Sequence, residues 1–240
     1  MSVQGCPLLL ALVIKKGELK MVETIIKLWT KYDYVYMNGL IGTLWLSALT
    51  VFIATIIGAI IAIMKLSKIK FLDWITTLYI GILRGTPILL QLYFFWLVLP
   101  KMVPFELTDT ACIIIALIFN ASSYVAEVIR AGIQAVDKGQ TEAAKSLGLT
   151  SVNTMKKIIL PQAIKNILPA LGNEYITMVK QTSLASVFFV QELMTSYKTV
   201  QSATFLAIPS LIIVGIIYLV VTTVLTKSLS IFERRLQKNE

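Results

Sequence analysis

Residues 142–161 read EAAKSLGLTSVNTMKKIILP and form the centre of a polar stretch, residues 132–161, between two long apolar segments. The first part, EAAKSLGL, favours a short helix with a face of small residues, and Gly148 suits the position that ends such a helix. Ser151 is a good N-cap for a second helix, which should stop before Pro161. We therefore predict two short helices that form a rigid knob, residues 132–161. A simple connection would need far fewer residues.

The chain around the knob is too apolar for an ordinary soluble protein. Of its 240 residues, 57% are hydrophobic and 15% are charged, and the mean hydropathy is +0.79. Soluble domains are about half apolar and a quarter charged. Since about 20 apolar residues cross a bilayer as one helix, five crossings fit in this length and little remains for a soluble domain. The sequence predicts an all-α membrane protein with five transmembrane helices.

The predicted spans differ in regularity. The first contains no charge, whereas the second follows a helix near the membrane surface and an interruption at Arg84-Gly85-Thr86-Pro87. The fourth is expected to be broken by Pro169 and Gly172. Breaks of this kind leave backbone groups that must line protein or a cavity rather than lipid. The predicted spans are residues 38–64, 88–100, 107–131, 162–190 and 205–226.

Basic residues lie mostly on one side of the predicted membrane. Cytoplasmic loops carry an excess of lysine and arginine, so this distribution places the N-terminus outside and the C-terminal tail, residues 237–240, inside. Residues 38–236 then form the transmembrane domain. The basic side receives Lys65, Lys68, Lys70, Lys138, Lys145, Lys156, Lys157, Lys165, Lys227, Arg234, Arg235 and Lys238, and the other side receives Lys101, Lys198 and the N-terminal segment, residues 1–37.

The first twenty residues pose a separate question. Their charges, Lys15 and Lys16, follow the apolar run, the reverse of a signal peptide. Residues 15–21 also back-translate to a purine-rich stretch containing GG-GA shortly before an ATG. Our hypothesis is that Met21 is the natural start and that residues 1–20 come from a misassigned start. The alternative is a loosely held or interfacial extension.

Composition excludes several function classes. The chain has no histidine, which removes histidine-based acid–base catalysis and histidine metal ligation. Its two cysteines, Cys6 and Cys112, lie far apart and lack metal-ligand spacing. The net charge of +9 resides mainly between and after the apolar segments, so it sets topology and does not form a nucleic-acid patch. We predict no metal, no cofactor and no nucleic-acid partner.

The spacing EAA-x3-G-x9-I-x-LP, which begins at Glu142-Ala143-Ala144 and includes Gly148, resembles the EAA loop of importer-type ATP-binding-cassette permeases. In that family the first short helix docks into a cleft on the ATPase subunit. The resemblance implies that this chain lacks an ATPase site of its own, and the sequence has no GxxxxGK[ST] phosphate-binding loop. The implied coupling residues are Glu142, Ala143, Ala144, Gly148 and Leu149.

Four further stretches are similar to the polar amino-acid uptake branch of this family, the histidine, glutamine and arginine permease type. They are LRGTPILLQ (83–91), SSYVAEVIRAGI (122–133), LPALGNEYI (168–176) and KQTSL (180–184). The resemblance implies the type I permease fold, in a bacterial cell membrane. It also implies a second permease subunit, same or homologous, two ATPase subunits and an extracellular solute-binding protein that delivers an amino acid.

Glu174 is the leading candidate for a substrate contact. A lone charge in hydrocarbon costs at least about 2.5 kcal/mol, so ionisable groups within spans are candidates for function. Glu174 could pair with the ammonium or a basic side chain of an amino acid, and the matching glutamate contacts substrate in related permeases. The alternative is a structural ion pair with Lys180 or Arg84. Arg84 itself could hold a substrate carboxylate or anchor a helix at the headgroups.

The polar residues elsewhere in the predicted spans have two possible roles. Thr86, Gln91, Asn120 and Ser123 are candidate hydrogen-bond partners in a substrate cavity, or they serve interhelical packing. Glu127 and Arg130 are three residues apart on one helix face, which favours a structural or gating pair.

The leading hypothesis is an amino-acid ABC permease that works by alternating access. An ion-coupled secondary carrier would explain the charges within the spans but not the knob. A membrane-embedded enzyme is third, because no HExxH or GxSxG motif offers a catalytic centre.

Overall fold

The computed structural model describes the backbone of residues 7–67 and 69–237 and the side chains of residues 19–67 and 69–236. Within these ranges the chain is helical, without a β-strand. Its α-helices are α1 (Pro7–Leu66), α2 (Lys70–Gly85), α3 (Ile88–Met102), α4 (Asp109–Gln134), α5 (Lys138–Ser146), α6 (Ser151–Thr154), α7 (Leu160–Gln181), α8 (Leu193–Thr204) and α9 (Ala207–Gln237). A π-helical turn, Met155–Ile159, joins α6 to α7, and a 3-10 helix, Thr182–Phe188, follows α7.

Two predictions fall wholly or partly outside these residues. Residues 1–6 and 238–240 are not described, so the start at Met21 and the cytoplasmic tail stay predictions. Helix α1 passes through Met21 without interruption and is kinked at Tyr32, where φ is −124° and ψ is 16°. The helix that carries the first predicted span therefore begins well before residue 38.

In the described part of the chain, three helices are long and apolar enough to cross a membrane. They are Leu19–Leu66, Asp109–Gln134 and Ala207–Leu236. Helices α2 and α3 qualify together and meet at 109° across the predicted interruption, which confirms the break at Thr86-Pro87. The fourth predicted span corresponds to α7, which is less apolar and is not among these helices.

Helix α7 corrects the prediction of a broken fourth span. It continues through Pro169 and Gly172 and ends at Gln181. A proline within a helix removes one backbone hydrogen bond, but packing of α7 against α4 and α9 holds the helix together. Gly172 does not break the helix but lets α9 pack closely against it, since a Cβ at this position would lie 2.4 Å from Leu229 Cδ1 of α9.

The second helix of the knob also departs from prediction. Its N-cap is Thr150, not Ser151, because the Thr150 side chain accepts a hydrogen bond from Asn153 N at 3.3 Å. Nor does it stop before Pro161: the π-helical turn carries it directly into α7, with Pro161 in the first turn. A single π-helical turn inside a longer helix changes the local hydrogen-bond pattern, and Pro161 lies two residues after this turn.

Helix α4 lies at the centre of the fold, where it packs against α1, α2, α3 and α7. Its buried face is rich in small side chains, which allow close approach between membrane helices. The buried core includes Leu46, Ala54, Leu92, Ile113, Ala116, Leu117, Ala121, Val125 and Met178.

Helix α8 and its anchor were not predicted. The carboxylate of Glu192, wholly buried, caps α8 by accepting hydrogen bonds from Met194 N and Thr195 N. Tyr218 Oη of α9 donates to the same carboxylate at 3.2 Å, and Leu193 N donates to Thr43 Oγ1 of α1 at 2.9 Å. These bonds tie α8 to α1 and α9.

Close backbone contact between α1 and the start of α8 gives a stability prediction. A Cβ at Gly42 would lie 2.4 Å from the Gln191 carbonyl oxygen, a backbone atom that cannot move aside by rotating a side chain. We expect Gly42→Ala to lower the free energy of unfolding by about 1–3 kcal/mol through overpacking. Gly215→Ala in α9 is the matched control, since nothing lies within 4 Å of its Cβ. Thermal unfolding of the two purified variants in detergent checks this, and equal midpoints would contradict it.

Candidate functional site

The first candidate site is the tip of the knob, where α5 is capped at both ends. Asp137 Oδ1 accepts from Gly139 N at 2.7 Å at the N-terminus. At the C-terminus Gly148 has a φ of +78°, Gly148 N donates to Lys145 O at 2.9 Å, and Leu149 N donates to Ala144 O at 3.0 Å. This is the glycine-dependent helix end predicted from the sequence. The tip of the knob is therefore a defined turn.

The five predicted coupling residues occupy different places in the knob. Ala144 is buried, Leu149 is half-buried, and Glu142, Ala143 and Gly148 are exposed. The structure adds Leu147, whose surface is 81% exposed at the same turn, and Val152 of α6 and Met155 of the π-helical turn are also exposed. Grouped exposed apolar side chains mark interaction surfaces. Sequence reasoning missed Leu147, although an apolar residue just before the capping glycine is a visible signal.

The second candidate site is the break between α2 and α3, where the Gln91 side chain forms hydrogen bonds to residues before the break. Gln91 Nε2 donates to Leu83 O and Thr86 Oγ1, both at 2.8 Å, and to Thr86 O at 3.1 Å. Asn120 Nδ2 of α4 donates to Gln91 Oε1 at 2.8 Å. Gln91 and Asn120 are only 6% and 2% exposed. These bonds satisfy carbonyl groups that the break removes from the helix ladder.

Of the predicted hydrogen-bonding residues, Thr86, Gln91 and Asn120 come together and Ser123 does not join them. Ser123 is buried and its hydroxyl donates to Asn120 O of its own helix at 2.7 Å. Thr86 is the member of the group that remains half-exposed.

A cluster of charged residues lies beside the break, where α2 meets α4. Arg130 donates to both oxygens of Glu127, from Nε at 3.0 Å and from Nη2 at 2.7 Å. Arg84 Nη1 lies 3.5 Å from Glu127 Oε2, and the Arg84 guanidinium stands over the Tyr124 ring, 5.2 Å from its centre. Glu127 and Arg130 therefore form the predicted pair, and Arg84 extends it.

Glu174 is half-buried on α7, within electrostatic range of Arg84. Among the described residues, no ion pair within 4 Å joins Glu174 to Lys180 or to Arg84. The direct partner of Arg84 is Glu127. The structural ion pair considered for Glu174 is thus not formed in this arrangement.

Comparison with known proteins places these features in a family. Residues 54–238, most of the chain, match the family described as "Binding-protein-dependent transport system inner membrane component". The chain belongs to this family. The resemblance drawn from the EAA loop is confirmed, and the protein is a permease subunit.

Several relatives cover most of the permease. The arginine transport system permease protein ArtQ of Bacillus subtilis is 37% identical over 204 residues, which are 85% of this chain and 93% of ArtQ. The "Probable glutamine ABC transporter permease protein GlnM" of the same organism is 37% identical over 205 residues, 85% of this chain and 94% of GlnM. A solved structure described as "Crystal structure of an amino acid ABC transporter with histidines" has 45% identity and a TM-score of 0.82. It covers 86% of this chain and 96% of its own. The permease fold is thereby confirmed.

Proposed function

We propose that this permease moves a polar amino acid into the cell by alternating access, driven by a separate ATPase subunit. The observation that carries the proposal is the knob, a capped turn with exposed apolar side chains and the complete EAA spacing. A secondary carrier would have no use for it. The amino-acid substrate is supported by the names of the relatives and by the charged cluster near Glu174.

We further propose five spans, formed by α1, the bent pair α2–α3, α4, α7 and α9. The N-terminus lies outside and the C-terminus in the cytoplasm, in accord with the distribution of basic residues. The working assembly contains a second permease subunit, two ATPase subunits and an extracellular solute-binding protein. The permease itself hydrolyses no ATP.

Motion passes from the ATPase to the substrate along one continuous helical path. The second helix of the knob, the π-helical turn and α7 follow one another without a break from Ser151 to Gln181. Glu174 lies 14 residues beyond Leu160, the start of α7. At 1.5 Å per residue this is about 20 Å along the axis, well inside a hydrocarbon core about 30 Å thick. Closure of the ATPase pair draws the knobs together and tilts α7 with its carboxylate.

The substrate binds between Arg84 and Glu174, two opposite charges close enough to interact electrostatically although they form no direct ion pair. Glu174 pairs with the ammonium group or a basic side chain, and Arg84 with the carboxylate. Thr86 is half-exposed at the break, where its hydroxyl donates to Ile82 O and accepts from Gln91 Nε2, both at 2.8 Å. Gln91, Asn120 and Ser123 are buried, so they act by holding the break and α4 in place.

Reconstitution tests the proposed energy source. The permease, its ATPase and its binding protein are placed in proteoliposomes with L-arginine or L-glutamine outside. We expect uptake to require ATP at the ATPase side and to persist when ionophores collapse the ion gradients. Liposomes that lack the ATPase serve as the control. Uptake driven by an ion gradient without ATP would favour the secondary carrier.

A further inference from the structure

Arg84, Glu127 and Arg130 form a charged cluster where α2 meets α4. Resting on the proposed function, we propose that Glu127 and Arg130 are positioning residues that keep the Arg84 guanidinium available for the α-carboxylate of the amino acid. Charged side chains within a membrane are costly and are candidates for function, and three of them meet at this helix crossing.

The carboxylate of Glu127 is already occupied by Arg130. The two parallel hydrogen bonds from Arg130, at 3.0 and 2.7 Å, are the fork geometry that binds a carboxylate most strongly. Arg130 Nη1 also donates to Gln134 Oε1 at 2.7 Å, which fixes the guanidinium from the other side. Glu127 therefore cannot accept a second bidentate pair of hydrogen bonds, from Arg84, in the same way.

Arg84 is held near Glu127 but is not captured by it. Its 3.5 Å separation from Glu127 Oε2 exceeds the roughly 2.7–2.9 Å of a strong charge-assisted hydrogen bond. The Tyr124 ring supports the face of the guanidinium, and the Arg84 side chain keeps 42% of its surface exposed. The edges of the guanidinium, where its N–H donors lie, can then meet a ligand.

The arrangement predicts a specific failure when Arg130 is lost. In Arg130→Gln, both oxygens of Glu127 become free, and the nearest remaining guanidinium is that of Arg84. Glu127 would then bind Arg84 in a fork and compete with the substrate carboxylate. Removing both partners, in Glu127→Gln with Arg130→Gln, removes the competitor and leaves Arg84 available.

The test measures equilibrium binding without ATP or binding protein, on the full permease–ATPase complex in nanodiscs. The probes are L-arginine and L-glutamine, each compared with its α-carboxamide, which lacks the negative charge. We expect Arg84→Gln and Arg130→Gln each to weaken amino-acid binding by about tenfold or more, with little change for the carboxamides. The double variant of Glu127 and Arg130 should recover binding close to the unmodified protein.

Two further variants keep the test sharp. Arg84→Lys retains the charge but loses the paired N–H donors of the guanidinium, so its affinity for the amino acids should lie between that of Arg84→Gln and that of the unmodified protein. Lys27→Gln is the control, because it removes one member of an exposed ion pair with Glu23, on the part of α1 before the kink. It should leave binding unchanged.

Two results would overturn the proposal. In the first, Arg130→Gln weakens the binding of the amino acid and of its carboxamide equally. In the second, the double variant binds the amino acid as weakly as Arg130→Gln does, as a purely structural pair would require. Failure here is distinct from failure of the proposed function. ATP-driven uptake by the unmodified protein tests the function, whereas discrimination between acid and amide tests the cluster.

Discussion

Gly148→Asp is expected to reduce ATP-driven amino-acid uptake by about tenfold or more while the permease still folds. The tip of the knob meets the ATPase in the proposed assembly, and an unpaired carboxylate buried in such a contact costs several kcal/mol, where about 1.4 kcal/mol is one factor of ten. In the isolated chain nothing lies within 4 Å of a Cβ at this position. The added side chain therefore has steric room, and the backbone strain of a substitution at this φ has its own control in the asparagine variant below.

Gly148→Asn separates charge from backbone geometry. Asparagine and aspartate have the same shape and both tolerate the left-handed region better than other side chains, which matters at a φ of +78°. Any backbone strain is thus shared by the two variants. We expect the asparagine variant to keep most of its uptake in proteoliposomes. Unchanged uptake in the aspartate variant would refute the assignment of the knob as the coupling element.

Glu174→Gln is expected to lower the uptake of cationic amino acids by about tenfold or more, and that of neutral amino acids less. The substitution keeps the size and hydrogen-bonding capacity of the side chain but removes the charge that pairs with a cation. A hydrogen bond to a charged group contributes about 1.5–3 kcal/mol. Uptake of L-arginine and L-glutamine in the same proteoliposomes measures the difference.

The matched control for this substitution is Glu106→Gln. Glu106 is an exposed carboxylate between α3 and α4, so the same chemical change there should leave transport as it was. If Glu174→Gln changes the uptake of no amino acid, Glu174 is not part of the substrate site.

The predictions from sequence succeeded where a local rule decides the structure. Gly148 ends α5 because a left-handed residue closes a helix most easily as glycine, and Thr86-Pro87 separates α2 from α3 because proline disfavours a helical conformation in the residue before it. The EAA spacing identified the family for the same reason, since all residues of the motif lie within one short segment, residues 142–161.

The predictions failed where packing overrode a local rule. Pro169 and Gly172 suggest a break, yet α7 continues because its neighbours hold it and Gly172 admits Leu229. Glu192 carried no signal in the sequence, because the groups that fix the start of α8 come from helices far along the chain. Tyr218 of α9 donates to the Glu192 carboxylate, and Thr43 of α1 accepts from Leu193 N. Gln91 and Asn120 were candidates for a substrate cavity or for interhelical packing, and their mutual bond is visible only in three dimensions.

The amino-acid sequence by itself determined that this chain is a helical membrane protein of the binding-protein-dependent permease family with a projecting knob. Apolar length, helix capping and motif spacing act within a few tens of residues, so they can be deduced from the order of residues alone. Only the tertiary structure decided which charges meet. Arg84 could have paired with Glu174 or with Glu127, and the crossing of α2 with α4 brings it to Glu127, because ion-pair partners are set by where helices cross and not by distance along the chain.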